Sequence, residues 1–317
     1  MVSTLGGMVI SVFGTIVRGF LMGAADVVPG VSGGTVALVL GFYERLVDSI
    51  KAGSSALGQF ARLELGEGLD WLRRVEWIFL VPLLAGIGLA IGALASLIET
   101  QLEEHPIEVA ALFFGLVISS IVVVWQLLER HDPPRMAVML AVGVGLFVLL
   151  GLRGGTSEET VSQASDPVLW AFFLSGAVAI CAMILPGISG SLILVMLGMY
   201  SPILDAVTER EFGLIALFLA GATAGLALFS QLLYWALHRH HDTVMAALVG
   251  LLLGSTRVLW PWPNGLDGTT LGSPDQSVPV ALGLAALGVV VVLAVNEFAR
   301  RREQQAGTPD RSEVAAS

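Results

Sequence analysis

The chain alternates between long apolar runs and short polar connections. Apolar stretches cover about 8–28, 34–50, 77–98, 109–128, 136–152, 168–186, 190–207, 212–237, 243–260 and 278–298. Several are long enough for the roughly 20 residues that a helix needs to cross a bilayer. None shows the strict two-residue alternation of a membrane β-barrel strand. The pattern therefore predicts an all-α polytopic membrane protein. Between the runs lie polar links such as "ETQLEEHPIE", "ERHDPPR" and "RGGTSEETVSQASDP". The polar tail "ARRREQQAGTPDRSEVAAS" reads as a cytoplasmic extension, 300–317, beyond the last span.

Two of the apolar runs are interrupted in the same way. Residues 26–35 read "DVVPGVSGGT" and residues 183–192 read "MILPGISGSL". A shift of 157 lays 18–48 on 175–205 with ten identities, among them Pro29, Gly30, Ser32, Gly33, Gly41, Tyr43 and Asp48. Further on, a shift of 135 pairs Gly86 with Gly221, His105 with His240, Gly115 with Gly250 and Trp125 with Trp260. The shifts differ by 22, the extra length of the 51–76 connection. The chain reads as an internal duplication, with a first repeat at 1–152, an outer linker at 153–167 and a second repeat at 168–299.

Each repeat contains one interrupted segment and three uninterrupted helices. If the segment is a re-entrant hairpin (8–50 and 168–207), it adds no net crossing. The three helices that follow (77–98, 109–128, 136–152 and 212–237, 243–260, 278–298) then make an odd number. The second repeat is expected to be inverted. Basic residues agree: Lys51, Arg62, Arg73, Arg74, Arg130, Arg135, Arg239, Arg300, Arg301, Arg302 and Arg311 fall on one side, against Arg153, Arg210 and Arg257 on the other. The positive-inside rule makes the first side cytoplasmic, with both termini there. The other side carries Glu103, Glu104, Glu108, Glu158, Glu159 and Asp166.

The interruptions suggest a chemistry. Val28 precedes Pro29 and is pushed out of helical geometry, and Pro29 supplies no N–H. Non-helical backbone at membrane depth survives only inside protein or along a cavity. Ser32 is a good N-cap for a helix over Thr35–Leu46, which would leave the N–H groups of Gly33, Gly34 and Thr35 facing the break. Ser189, Gly190, Ser191 and Leu192 repeat the arrangement. A helix N-terminus attracts phosphate and carboxylate. Two such ends converging from inverted repeats is a transporter arrangement; packing kinks built from small residues are the competing reading.

The charges near the break sit in the first hairpin. Arg18, Met22 and Asp26 share one helical stripe. Arg18 reads equally as an intramembrane anion site or as a snorkelling interface residue. Asp26 is open to three roles: capping backbone N–H groups, pairing with Arg18, or carrying a coupling proton. Arg45 could reach an anionic headgroup or mark the interface. The second repeat has Ser175, Met183 and Pro202 at these positions.

Composition closes off other classes. The 317 residues have mean hydropathy +0.83, 13% charged residues and net charge −10, with a single lysine among sixteen basic residues, which does not point to nucleic acid. Cys181 is the only cysteine, so no internal disulfide forms. The N-terminal run lacks the basic region of a signal peptide. No H-E-x-x-H, Walker A or Cys/His cluster is present, and neither Ser32 nor Ser189 has a His base near it in sequence, so neither an enzyme nor a metal or cofactor is expected. His105 and His240 would lie on opposite sides and share no metal.

The stretches "RGFLMGAADVVPGVSGGTVALVLGFYERLVDSI" and "ILPGISGSLILVMLGMYSPILDAV" closely resemble the polytopic family of bacteria and archaea described as polyprenyl-phosphate transporters, the PopT type. The resemblance extends to about residue 300. It implies return of a polyprenyl phosphate, undecaprenyl phosphate in bacteria or dolichyl phosphate in archaea, from the outer to the inner leaflet for envelope glycan synthesis. The family motif covers Arg18, Gly19, Asp26, Pro29, Gly30, Ser32, Gly33, Gly34 and Thr35, then Pro186, Gly187, Ser189, Gly190 and Ser191. The lipid is the expected partner, with proton or sodium as the open candidates for a coupling ion. A carrier or channel for a small anion and a membrane enzyme acting on lipid phosphate are the alternatives.

Overall fold

The computed structural model describes residues 2–28, 31–152, 161–165 and 167–306. Pro29 and Gly30 of the first tip, Arg153, Glu158, Glu159 and Asp166 of the linker, Arg311 of the tail, and the side chains of Arg300, Arg301 and Arg302 lie outside the described residues.

Helices make up the chain, with no strand among the described residues. They are α1 (Val2–Asp26), α2 (Gly33–Val39), α3 (Tyr43–Ala61), α4 (Leu65–Arg74), α5 (Trp77–Glu104), α6 (Pro106–Trp125), α7 (Pro133–Leu152), α8 (Leu169–Ile184), α9 (Gly190–Met196), α10 (Tyr200–Thr208), α11 (Phe212–Ser255) and α12 (Val278–Ala306). Five of them, α5, α6, α7, α11 and α12, are long and apolar enough to cross a membrane. Helix α11 has 44 residues. At about 1.5 Å per residue it would run roughly 66 Å, twice the apolar thickness of a bilayer. It breaks at His240, where φ −137° and ψ 45° leave the helical region. His105, its counterpart under the 135 shift, closes α5 with φ −136° and ψ 53°. The same backbone corner thus recurs at the two repeat-related histidines. Large apolar side chains such as Leu84, Leu97, Val144, Leu228 and Leu282 face outward, as a lipid-bathed surface requires.

Glycines set the packing. Helix α1 lies along α5, and α8 along the first arm of α11. A Cβ on Gly19 would overlap the Leu83 carbonyl, and one on Gly86 that of Ile16. Gly176 against Phe218 and Gly221 against Phe173 repeat both contacts at the shifted positions. The third helices are exchanged: α12 lies on α6 through Gly115 and Gly288, and α7 on the second arm of α11 through Gly143 and Gly250.

Two expectations change. The helix expected over Thr35–Leu46 ends at Val39 and restarts at Tyr43. Gly41 takes φ +71°, Gly41 N–H donates to Leu38 O (3.1 Å) and Phe42 N–H to Ala37 O (3.0 Å). These two bonds form a Schellman motif, which needs a left-handed residue after the cap. Gly198 (φ +70°) does the same between α9 and α10, whose axes differ by 107°. The 51–76 connection, expected to be a loop, is mostly helical, as the end of α3 and as α4. On it, Lys51 Nζ stands 4.4 Å from the ring centroids of both Trp71 and Tyr234, exchanging some of its hydration for two aromatic faces.

Candidate functional site

The two interrupted segments meet. Helix α8 ends at Ile184 with Leu185 as its cap, so the carbonyls of its last turn have no helical partner. The first repeat supplies donors for two of them. Tyr43 Oη donates to Ile184 O (3.2 Å) and Ser32 Oγ to Leu185 O (3.1 Å). In return Gly187 N–H donates to Thr35 Oγ1 (3.1 Å). Gly34 lies so close that a Cβ there would come within 2.8 Å of Ile184 O. Ser32, Thr35 and Tyr43 are almost wholly buried.

Helix α2 begins as the sequence implies. Ser32 sits in extended geometry (φ −125°, ψ 132°) and its Oγ accepts from Gly34 N–H (3.1 Å). Asp26 fills the remaining place: its Oδ1 accepts from Gly33 N–H at 2.6 Å. Thr35 N–H donates to Ser32 O (2.9 Å). The three N–H groups expected to face the break free are therefore all satisfied from within the protein. Of the roles open to Asp26, the structure displays the cap. Its carboxylate occupies the place at the helix start that an anionic ligand would take.

The second tip is built on the same frame with different chemistry. Met183 packs against Gly190 as Asp26 does against Gly33. No side chain hydrogen-bonds the first N–H groups of α9; Ser189 Oγ instead lies 2.7 Å from Ser191 Oγ.

Arg18 and Arg45 are not brought to the tips. Arg18 lies two helical turns before Asp26, about 12 Å along the axis. Its guanidinium faces the Phe42 ring (5.9 Å), and no carboxylate pairs with it among the described residues. Arg45 bonds Glu76 Oε2 through Nε (2.7 Å) and Nη2 (2.5 Å) and lies over the Phe79 ring (4.2 Å). Both stand at the Gly41 end of the segment. Here too Glu44 Oε1 meets His241 Nε2 (3.0 Å), and Arg135 bridges toward Asp132 and Asp242. The Arg135 hydrogen bond holds the Asp132 carboxyl below the usual carboxylate range. Among the described residues no group of three His, Cys, Asp or Glu side chains is placed to hold a metal.

The reading of the residues missed Tyr43 as a partner of the other tip. Its recurrence as Tyr200 was the available signal, but nothing in the sequence aims the hydroxyl. It also missed the carbonyl ends of the incoming helices. Each tip presents both poles of a helix, and the negative end of α8 faces the positive start of α2.

Two apolar crevices flank the paired tips. One, of about 270 Å³, is lined by residues including Leu21, Thr35, Val36, Leu116, Ser120 and Val291. The other, of about 200 Å³, is lined by residues including Val178, Gly187, Leu192, Ile193, Leu146 and Leu150.

The family described as VCA0040-like, undecaprenyl phosphate translocase-like, matches residues 22–274. A protein of Vibrio cholerae serotype O1 named polyprenyl-phosphate transporter is 38% identical over 275 residues, covering 86% of this chain and 85% of its own. One of the same name from Staphylococcus aureus is 29% identical over 301 residues, covering 91% and 97%. Both are named as transporters rather than enzymes. No solved structure matches the chain. An all-helical, multi-pass membrane chain with paired PG(V/I)SG segments, matched over most of its length by these relatives, belongs to the VCA0040-like, undecaprenyl phosphate translocase-like family.

Proposed function

We propose that the protein carries polyprenyl phosphate across the cytoplasmic membrane, returning it from the outer to the inner leaflet. The halves, 1–152 and 168–299, act as inverted repeats with re-entrant tips, and both termini lie in the cytoplasm. The headgroup binds where the tips meet, and the halves part to expose that site to one side at a time.

The observation that best supports this reading is the cross-tip bonding of Ser32, Thr35 and Tyr43 to Ile184, Leu185 and Gly187. Two segments 157 residues apart, each broken at the same motif, converge on one buried point. When they part, the hydroxyls of Ser32, Thr35, Ser189 and Ser191 and the N–H groups of Gly33, Gly187 and Gly190 become the donors for a phosphate. Asp26 is the internal anion that the phosphate displaces from Gly33. A carboxylate freed in this way is the group to take up a coupling proton. Arg18, with only an aromatic face beside it, is where a headgroup at the cytoplasmic surface meets positive charge.

The test is reconstitution in liposomes with fluorescent polyprenyl phosphate and a membrane-impermeant quencher. Wild type should equilibrate the lipid between leaflets, and Ser32→Ala with Ser189→Ala should slow it. Movement of soluble phosphate with no movement of the lipid would refute the reading in favour of a small-anion carrier.

A further inference from the structure

The two crevices beside the tips are related position by position. Under the 157 shift Leu21 becomes Val178, Val31 becomes Ile188, Thr35 becomes Leu192, Val36 becomes Ile193, Val39 becomes Met196 and Leu40 becomes Leu197. All twelve residues line the respective crevices. The opposite wall is exchanged as the helix packing is: α12 of the second repeat closes the first crevice, and α7 of the first repeat closes the second. A packing defect has no reason to recur at six matched positions.

The chemistry of the walls is narrow. The second crevice is lined by apolar side chains and Gly187, and the first adds only the hydroxyls of Thr35 and Ser120. The Ser120 hydroxyl is spent on Leu116 O (2.7 Å). Such walls offer an ion or a water cluster too few partners. Both crevices reach the lipid-facing surface, where Leu21 and Val291 border the first and Leu149 and Val178 the second. At the inner end of the first lies Thr35, which takes the cross-tip bond from Gly187, and Gly187 itself lines the second. Each crevice thus joins the lipid to one partner of the same hydrogen bond.

We propose that the two crevices are paired isoprenoid-chain sites, each holding the first units of a polyprenyl chain whose phosphate lies at the tips. This rests on the transport reading above and adds the path of the chain. The lipid enters along one crevice and leaves along its repeat mate, so the chain never crosses the polar tip. The binding free energy comes from apolar burial in the crevices, and the tips supply selectivity for the phosphate.

Polyprenyl phosphate carrying a diazirine in its first isoprene units, photolysed in proteoliposomes of the wild-type protein, tests this directly. Adducts are expected on the walls at Val36, Val39, Leu116 and Val291 and at Leu146, Ile193 and Met196. Adducts spread evenly over outward residues such as Leu84 and Leu228, in a protein that moves the lipid, would overturn the chain sites and leave the transport reading intact. Adducts confined to the crevices in a protein that moves no lipid would uphold the sites and overturn the transport reading. Val36→Trp and Ile193→Trp fill one crevice each, and each should slow transport of the full-length lipid at least about tenfold. Binding of inorganic phosphate should change far less, because it carries no chain to enter a crevice. Wild-type rates in both Trp variants would overturn the proposal.

Discussion

Replacing Thr35 by Val removes one acceptor from the paired tips while keeping a branched side chain of similar shape. Thr35 is 4% exposed and receives the Gly187 N–H at 3.1 Å. In the joined state the Val variant leaves that N–H buried without a partner. The net value of such a bond is about 0.5–1.5 kcal/mol, and an orphaned buried donor costs about 1–3 kcal/mol. With the tips parted, water or a ligand satisfies Gly187, so the loss falls on the joined state alone. A shift of about 1.4 kcal/mol moves the ratio of joined to parted molecules roughly tenfold. The reporter is Val28→Cys, buried beside the tip at 0% exposure, in a Cys181→Ala background. The rate of maleimide modification follows the parted fraction and should rise about tenfold in Thr35→Val. Adding Tyr43→Phe, which removes the bond to Ile184 O, should raise it again. An unchanged rate in the double variant would refute the idea that these bonds hold the tips together.

Other expectations follow from particular contacts. Gly19→Ala and Gly221→Ala force Cβ atoms into the carbonyls of Leu83 and Phe173, and each should cost about 1–3 kcal/mol in thermal or SDS unfolding. Gly88→Ala and Gly213→Ala meet nothing within 4 Å and should instead stabilise by a few tenths to about 1 kcal/mol. Arg45→Ala breaks a half-exposed ion pair with Glu76, so stability should change by less than about 1 kcal/mol; a complete loss of lipid binding would return Arg45 to the substrate site. Asp26→Asn keeps an acceptor for Gly33 N–H, so the variant should fold and bind polyprenyl phosphate more tightly, without a carboxylate to displace. Asp26→Ala should be less stable than Asp26→Asn by about 1 kcal/mol, the value of a cap.

Much of the architecture was legible because the bilayer leaves few options. Apolar length gave every long span, and the polar link HRHHD separated the two arms of α11 around His240, where one continuous helix was too long. The N-cap role of Ser32 was legible because capping is a local preference. The break at Gly41 was also written locally, yet an apolar run on either side masked it, since hydrophobicity carries no sign of φ. What joins the tips was not legible. Pairing Ser32 with Leu185 and Thr35 with Gly187 depends on how two hairpins dock, and no periodicity encodes that. Capping of backbone N–H groups was among the roles read for Asp26 from the sequence, and the structure displays it at Gly33, seven residues on. Arg18 was read toward the site from its charge, its stripe with Asp26 and the family motif, and Arg45 from its charge; helix geometry places both at the opposite end of the segment.

The Schellman turns at Gly41 and Gly198 have a mechanical consequence. Helices α2 and α9 are seven residues each, and a left-handed glycine follows each of them. Neither shares a helical hydrogen-bond ladder with its neighbours. Each is a separate short helix joined to its neighbours by non-helical backbone, with α2 tied to α1 by the Asp26 cap. The glycine-seated pairs α1–α5 and α8–α11 form the fixed frame around it. In the transport cycle proposed above, parting the tips would be a tilt of these two short segments, resisted by the few bonds between them.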